Sequence, residues 1–371
     1  MNSDKIREDF PLAKKCVYFD NAATTLTPKP VLDAVDQYYA DYRANIHRGA
    51  HFLTKRASEE YELVYEKLAK FFNAKSGEFS STKNATEAIN LVALGLKWRK
   101  NASVVTTNIE HHSNLLPWVR LEKLGLIKLK IVEASKEGEF NLGDFEKAID
   151  QNTQLVAFTA ASNVLGNKTM VSEITKIARD AGALSLIDAA QSAGHCKMDF
   201  KKINADFIAF SGHKMLGPTG TGVLYKKSGV ELDSAIVGGG TISDASLHDY
   251  ALLGNREALE AGTPNIGGVI GLGAAVDYLS KIGLDSVFEH DRKLVKKIMN
   301  GFSQIEGIEF YGPRKIEEKT SVVSFNVKGS DAHQTALLCD SLGKICVRSG
   351  HHCAIPVTKL LGVKATARAS V

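Results

Sequence analysis

The sequence lacks most features of secreted and membrane proteins. It has only eight prolines and five cysteines in 371 residues, and the cysteines are an odd number, thinly spread, which argues against a disulfide framework. No stretch reaches the roughly 18 apolar residues that a membrane span needs. The first residues carry charges of both signs and no apolar core, so they do not form a signal peptide. We therefore expect a cytoplasmic protein that makes no membrane contact.

An excess of one charge is also missing. The 46 Lys and Arg residues against 42 Asp and Glu residues give a net charge of +4, with no block of like charge. A nucleic-acid-binding protein would carry a basic stripe, so we expect no nucleic-acid partner. Two nucleotide-binding signatures are absent as well, because no G-x-G-x-x-G follows a strand and no G-x-x-x-x-G-K-[ST] occurs. A Rossmann or P-loop site is therefore not expected.

The pattern that is present, from about residue 80 to 230, alternates short apolar runs with amphipathic stretches. The apolar runs predict buried strands at 104–107, 155–159, 184–187 and 207–210. Between them, apolar residues at i, i+3, i+4 and i+7 predict helical faces that begin at Ile89 and Ile174. This alternation is typical of βαβ units around a mostly parallel sheet. The fold class is therefore α/β.

A second, smaller unit follows the sheet region. Glycine-rich turns accumulate between residues 217 and 268, and the chain after them has the pattern of an α+β unit. We predict a large domain over 18–275 and a small domain built from 1–17 and 276–371. The stretch 77–82 is polar, which argues against a well-packed strand there.

A lysine and an aspartate stand where a cofactor would lie in such a sheet. Lys214 ends a glycine-containing turn directly after one predicted strand, and Asp188 comes at the end of the preceding one. Ligands of open α/β sheets lie beyond the carboxyl ends of the strands. A lysine that forms a Schiff base and an aspartate that keeps a pyridinium nitrogen protonated are the pair that pyridoxal phosphate chemistry requires. The alternatives are a surface lysine and a helix N-cap.

Two further segments fit a bound phosphate and a flat ring. Asn84 to Glu87 precedes a helix, so its backbone N–H groups and the Thr86 hydroxyl either hold an anion or simply cap the helix. His111 follows a strand, where an imidazole either stacks on a cofactor and carries protons or is an ordinary polar residue at a strand end.

Cys353 is the cysteine with the most unusual neighbours. It follows His351 and His352 and lies close to Arg348, and such cationic neighbours favour a nucleophilic thiolate. The alternatives are an inert buried thiol and a zinc site, although no C-x2-C or H-x3-H partner lies nearby. The other four cysteines lie in ordinary packing contexts.

Taken together, these segments resemble the class V, fold-type I pyridoxal phosphate enzymes, and most closely the SufS-type (group II) cysteine desulfurases. The matching segments run in family order along the chain: 18–23, 47–51, 84–90, 110–112, 162–166, 188–191, 211–214, 260–265, 348–354 and 368–370. The resemblance implies a large domain with a mostly parallel seven-stranded sheet, and a small domain that carries the catalytic cysteine and ends earlier than in relatives.

The resemblance also implies a role for each matching residue. Lys214, Cys353 and His111 would be catalytic. Residues that would bind the cofactor are Ala85, Thr86, His111, Asp188, Gln191, Ser211, His213, Lys214 and, from the other subunit, Thr263. Residues that would bind the substrate are Ala23, Asn163, Arg348 and Arg368, with Arg48 and His51 at a mouth shared by two subunits. No metal is expected.

The activity implied by the resemblance is conversion of L-cysteine to L-alanine, with the sulfur transferred to Cys353 as a persulfide for iron–sulfur cluster assembly. The implied partners are a second copy of the chain and a sulfur acceptor of the SufE or SufU type, or a cluster scaffold. Selenocysteine lyase and cysteine sulfinate desulfinase are alternatives within the family. A catalytically weak scaffold of a cluster-assembly complex is the alternative from another class.

Overall fold

The computed structural model describes residues 3–371, which form twelve α-helices and fifteen strands. The helices are α1 Ser3–Glu8, α2 Lys29–Asp41, α3 Phe52–Phe72, α4 Ala85–Gly95, α5 Leu116–Lys123, α6 Leu142–Ala148, α7 Val171–Asp180, α8 Phe200–Ile203, α9 Ile266–Ile282, α10 Leu284–Ser303, α11 Ala332–Gly343 and α12 Ile355–Leu361. The strands are β1 Val17–Tyr18, β2 Phe79–Thr82, β3 Ser103–Thr107, β4 Lys128–Val132, β5 Thr153–Thr159, β6 Leu184–Asp188, β7 Phe207–Ser211, β8 Gly222–Lys226, β9 Ile242–Ala245, β10 Tyr250–Leu252, β11 Ile308–Phe310, β12 Val322–Val327, β13 Ile345–Cys346, β14 Arg348–Gly350 and β15 Thr366–Ser370.

A seven-stranded sheet in the order β2-β8-β7-β6-β5-β3-β4 forms the centre of the molecule. Strands β3 to β7 pair in parallel, and β8 runs antiparallel between β7 and β2. The α/β fold class and the four predicted strands are therefore confirmed. The carboxyl ends of β2, β3, β5, β6 and β7 all meet at one edge of the sheet, because β2 runs in the same direction as β7.

The core of the sheet consists of aliphatic and aromatic side chains on both faces. Phe72 of α3 stacks on Phe200 at 4.4 Å between ring centroids and also contacts Phe79 and Phe210. On the other face, α4 and α5 cover the sheet with residues such as Ile89 and Trp118. A parallel sheet buried on both faces needs apolar residues at successive positions, which explains the continuous apolar runs.

The expectation that the polar stretch 77–82 packs poorly was wrong, because residues 79–82 form β2 in the central sheet and three of these four residues are buried. The polar groups of β2 are paired rather than left in an apolar environment. Ser80 Oγ donates to the Arg256 carbonyl at 3.2 Å, and the Ser81 N–H donates to the Glu260 carboxylate at 2.8 Å. Buried polar groups are tolerated when they are hydrogen-bonded, so composition alone misjudged this strand.

A second sheet, antiparallel and in the order β11-β12-β15-β14, packs with α10 and α11. The short strand β1 pairs with β13 and brings the N-terminal segment to this part of the chain. The predicted domain boundary near residue 275 falls inside α9, which packs against α2 and α3, and the division into two domains stays a prediction.

A helix that spans a membrane must be both long and strongly apolar. Within residues 3–371, no single helix meets both requirements. The bent pair formed by α9 and α10 meets them jointly, by length and composition only.

Candidate active site

One cavity of about 360 Å³ opens at the edge where the strands end. Its lining includes most of the residues that the sequence singled out: Ala23, Ala85, Thr86, His111, Asn163, Asp188, Gln191, Ser211, His213, Lys214, Arg348, Cys353 and Arg368. These residues come from positions spread over most of the chain. The strand ends of the central sheet bring together those between residues 85 and 214, as expected for the ligand site of an open α/β sheet, and the small antiparallel sheet supplies Arg348 and Arg368.

Lys214 and Asp188 form the electrostatic centre of the cavity. Asp188 is the last residue of β6, where its carboxylate is 3% exposed and accepts the Ala190 N–H at 2.9 Å. Burial raises the pKa of Asp188, and burial lowers the pKa of Lys214, with the Asp188 charge opposing that second shift. Within residues 3–371, no side chain or carbonyl hydrogen-bonds Lys214 Nζ. The lysine is therefore biased toward the neutral, nucleophilic amine.

The N-terminus of α4 forms an anion cradle beside this centre. Asn84 caps the helix by accepting the Glu87 N–H at 2.9 Å, and the Ala85 N–H donates to Ser211 Oγ at 2.9 Å. Gly222 of β8 permits this arrangement, since a Cβ there would lie 2.4 Å from the Asn84 Cα. Hydroxyl groups and unpaired N–H groups at a helix N-terminus favour a phosphate.

His111 is held in one tautomer. Its Nδ1 accepts the Ser113 backbone N–H at 3.1 Å, so the ring proton of the neutral imidazole is on Nε2. Burial and the neighbouring Lys214 lower the pKa of His111 to about 3, which keeps the ring neutral at physiological pH. Ser113 Oγ also bonds Thr86 Oγ1 at 2.7 Å and thereby joins the imidazole to the anion cradle.

The turn that carries His111 is fixed by a buried carboxylate. Glu110 is fully buried and accepts hydrogen bonds from Thr107 Oγ1 at 2.6 Å, Asn114 Nδ2 at 2.7 Å and the Thr159 N–H at 3.0 Å. Burial raises the pKa of Glu110 to about 8 against these hydrogen bonds. The carboxylate ties the ends of β3 and β5 together and sets the position of the turn.

Two arginines share one carboxylate on the other side of the cavity. Arg348 donates to Asp20 from Nε at 3.2 Å and from Nη2 at 2.5 Å, and Arg368 Nη2 lies 3.5 Å from Asp20 Oδ1. Arg368 is 2% exposed, and burial lowers its pKa to about 10. Two guanidinium groups and one carboxylate leave a net positive charge, which a substrate carboxylate would neutralise.

Cys353 lies in a turn that we call the Cys353 turn, residues 351–355. His352 has φ 53° and Cys353 has φ 55°, so two successive non-glycine residues adopt the left-handed conformation. Each such residue costs about 1–3 kcal/mol and persists only where the surroundings hold it. The Cys353 side chain is exposed at the mouth of the cavity.

The structure gives no support to a zinc site at this turn. Within residues 3–371, the one group of potential ligands close enough to share a metal ion is His47, Glu62 and Glu257. His351, His352 and Cys353 do not form such a group. The His352 ring instead bonds Thr366 through Nε2, at 2.9 Å to the hydroxyl.

Three predicted residues do not line the cavity. Thr263 lies near Tyr39 and Arg43 in a separate surface depression, and His51 accepts the Thr54 N–H to cap α3. Arg48 is likewise outside the cavity lining. Their assignment to a site shared by two subunits stays a prediction.

Sequence reasoning missed several residues of the site. Asp20, Glu110, His112 and Ser113 all lie within segments that matched the family or directly beside them, but no role was assigned to them. The pairing of Asp20 with two arginines follows from the approach of β1, β14 and β15, which sequence spacing does not reveal.

Comparison with known proteins identifies the family. The aminotransferase class-V family model matches residues 17–371. A probable cysteine desulfurase of Pyrococcus abyssi is 49% identical over 99% of this chain and 92% of that protein. A protein of the same description from Methanothermobacter thermautotrophicus is 47% identical over 100% of this chain and 94% of that protein.

Solved structures of cysteine desulfurases are also similar to this chain. The apo cysteine desulfurase of Thermococcus onnurineus NA1 superimposes with a TM-score of 0.96 at 48% identity, covering 99% of this chain and 92% of that one. The cysteine desulfurase CsdA of Escherichia coli has a TM-score of 0.93 at 30% identity, covering 100% and 93%. The chain belongs to the aminotransferase class-V family, in which it is an enzyme of the cysteine desulfurase group.

Proposed function

We propose that the protein is a pyridoxal-phosphate-dependent cysteine desulfurase that converts L-cysteine to L-alanine and receives the sulfur on Cys353 as a persulfide. The observation that carries this proposal is that Lys214, Asp188 and Cys353 line one cavity together with two arginines. Ala23 and Asn163, which we assign to the substrate, line the same cavity.

The cavity residues fit pyridoxal phosphate. Lys214 offers an amine free of hydrogen bonds for the aldehyde, Asp188 offers a buried carboxylate for the ring nitrogen, and the cradle offers Thr86, Ser211 and His213 for the phosphate. Among the described residues, Gln191 Oε1 is buried without a hydrogen-bond partner, whereas its Nε2 donates to the Ala22 carbonyl. An orphaned buried acceptor indicates a ligand group at that position.

When bound, pyridoxal phosphate supplies an electron sink for the pair released at the substrate α-carbon. The neutral Lys214 amine takes the α-proton, and His111 presents its Nε2–H to the reacting groups. The two arginines orient the substrate carboxylate, which places the substrate sulfur toward Cys353. The Cys353 sulfur then bonds to the substrate sulfur as the Cβ–S bond breaks. The electron pair of that bond remains on Cβ, which takes up the proton that the Cys353 thiol gives up. Lys214 returns the α-proton to Cα, so that the product leaves as alanine.

The sulfur on Cys353 would pass to another protein for iron–sulfur cluster assembly. Cys353 is exposed, so a protein acceptor of the SufE or SufU type has access to it. The SufS-type resemblance of the segment 348–354 supports such a partner. A homodimer would bring Thr263, Arg48 and His51 of a second copy to the cavity from which they are absent in one chain.

Replacing Arg368 by Met is expected to raise the KM for L-cysteine about 10- to 100-fold and to change kcat less. A buried guanidinium that holds a substrate carboxylate contributes about 1.5–3 kcal/mol through charge-assisted hydrogen bonds. The check is steady-state kinetics of alanine formation. Arg368→Lys is the control, because it keeps the charge without the planar donor fork and should give an intermediate KM. An unchanged KM in the Met variant would refute the substrate role.

The proposed function is tested by Cys353→Ala, with alanine release from L-cysteine as the measurement. We expect a loss of about 100-fold or more, because the variant has no nucleophile at the sulfur. Cys339→Ala is the matched control, since Cys339 lies on α11 outside the cavity, and it should keep its activity. Full activity in Cys353→Ala would disprove the transfer of sulfur to this residue.

A further inference from the structure

The Cys353 turn is strained, and contacts with the large sheet region hold it in place. Both His352 and Cys353 have positive φ angles that favour glycine. Asn163 Nδ2 donates to the His352 carbonyl at 2.7 Å, which is one of these contacts. The other hydrogen bonds from that region come from His112, a residue to which neither the proposed mechanism nor the family match gives a role.

His112 contacts the turn on both sides of the Cys353 thiol. Its backbone N–H donates to the Cys353 carbonyl at 2.7 Å, and its imidazole Nε2 accepts the Ile355 N–H at 3.1 Å. The two bonds enclose the short segment from 353 to 355. His112 is itself fixed, because it begins the short 3-10 helix that directly follows Glu110 and His111.

The second of these bonds specifies the state of the imidazole. A backbone N–H is always a donor, so Nε2 must carry a lone pair and the ring must be neutral with its proton on Nδ1. A protonated ring would present an N–H to the Ile355 N–H, and the bond would be lost. Only the neutral ring therefore makes this second hydrogen bond to the turn.

The surroundings of His112 favour this neutral state. The charged or titratable groups around it are His351 on the Cys353 turn, His111 beside it at 6.4 Å between ring centroids, and Arg120 of α5 in the same surface depression. Burial and His351 lower the pKa of His112. Among these neighbours, His351 is the one whose charge opposes a positive charge on His112.

We propose that His112 is the positioning residue for Cys353: its neutral imidazole holds the strained turn so that the thiol faces the cavity. The inference rests on the proposed function, in which Cys353 receives the substrate sulfur. Sulfur transfer requires the thiol to be aligned with the substrate sulfur, so a released turn slows that step without weakening substrate binding. Acidification below the pKa of His112 breaks the hydrogen bond to the Ile355 N–H and thereby loosens the turn.

The test compares His112→Leu, which has no acceptor, with His112→Gln, whose Oε1 accepts the Ile355 N–H at every pH. Amide hydrogen exchange of the peptide 351–358 reports on the turn without turnover. Its exchange should be about tenfold faster in the Leu variant, whereas the Gln variant should match the parent. In kinetics, kcat for alanine formation should fall about tenfold in the Leu variant with little change in KM, and Gln should restore it.

The pH profile separates positioning from a general structural effect. After correction for intrinsic exchange, the parent should lose protection of the turn at acid pH, and the Gln variant should not. The proposal would be overturned if the amides of 351–358 exchanged equally fast in the parent and the Leu variant. It would also be overturned if kcat fell equally in the Leu and Gln variants. If the Leu variant does not fold, the test rests on how amide exchange of the turn depends on pH in the parent and in the Gln variant. Identical pH dependence in these two proteins would overturn the proposal. Activity retained in Cys353→Ala would instead refute the proposed function, while hydrogen exchange still measures the His112 contact.

Discussion

Replacing Lys214 by Ala is expected to abolish alanine formation from L-cysteine, with a loss of about 10³-fold or more. Two functions disappear together, because Lys214 is both the amine that holds the cofactor and the base that takes the α-proton in the proposed mechanism. Proton transfer by a positioned side chain alone contributes roughly 10²–10⁴-fold. The measurements are alanine release and trapping of pyridoxal phosphate on the protein by borohydride, which should label Lys214 in the parent and nothing in the variant.

Lys214→Arg is the appropriate control for this prediction. It keeps a long cationic side chain in the cavity, but a guanidinium does not deprotonate under these conditions and forms no bond to the aldehyde. We expect it to be as inactive as the Ala variant, with a melting temperature close to that of the parent. Substantial turnover in either variant would show that another group serves as the base, and the cavity would need a different assignment.

The position of Lys214 is the part of the site that the sequence predicts best. An apolar strand followed by a glycine-containing turn is a local pattern, and the carboxyl ends of parallel strands meet at one edge whatever the details of packing. The same logic places Asp188 at the carboxyl end of β6 and His111 after β3. For these residues, the local sequence pattern and the fold class together are sufficient to predict the position in the structure.

The other half of the site depends on contacts that local patterns do not contain. Asp20 is 328 residues from Arg348 in the chain, and the two meet where β1 pairs with β13 and Asp20 bridges β15 of the small antiparallel sheet. The tautomer of His111 depends on the Ser113 N–H in the turn after β3, and the tautomer of His112 depends on the Ile355 N–H in the Cys353 turn. Such geometry follows from tertiary packing.

For strand β2, the polar composition led to an expectation of poor packing that the structure does not bear out. Its serines are polar, yet Ser80 and Ser81 are paired with Arg256 and Glu260 in a buried network that also contains Tyr61. A polar strand is stable in a core if each polar atom has a partner, and partners distant in sequence are invisible to a window of a few residues.

Replacing Asp188 by Asn should separate activity from stability. The amide has nearly the same shape, but it has no negative charge to keep a ring nitrogen protonated, so kcat should fall about 100-fold. In the cofactor-free protein the buried carboxylate is unfavourable, and burial raises the pKa of Asp188 above its ordinary value of 3.8. We therefore expect Asp188→Asn to keep or increase the free energy of unfolding, by about 1 kcal/mol at neutral pH.

The gain in the free energy of unfolding of Asp188→Asn depends on pH through proton linkage. Because the folded state holds its proton to higher pH than the unfolded state, the parent loses stability as pH rises from 3.8 through the raised pKa of Asp188. The Asn variant does not titrate, so the difference in unfolding free energy should grow across this window and then level off. Asp206→Asn, at the opposite end of the same sheet, is the control and should not selectively lower kcat. Full kcat in Asp188→Asn with the cofactor bound would exclude Asp188 as the partner of the ring nitrogen.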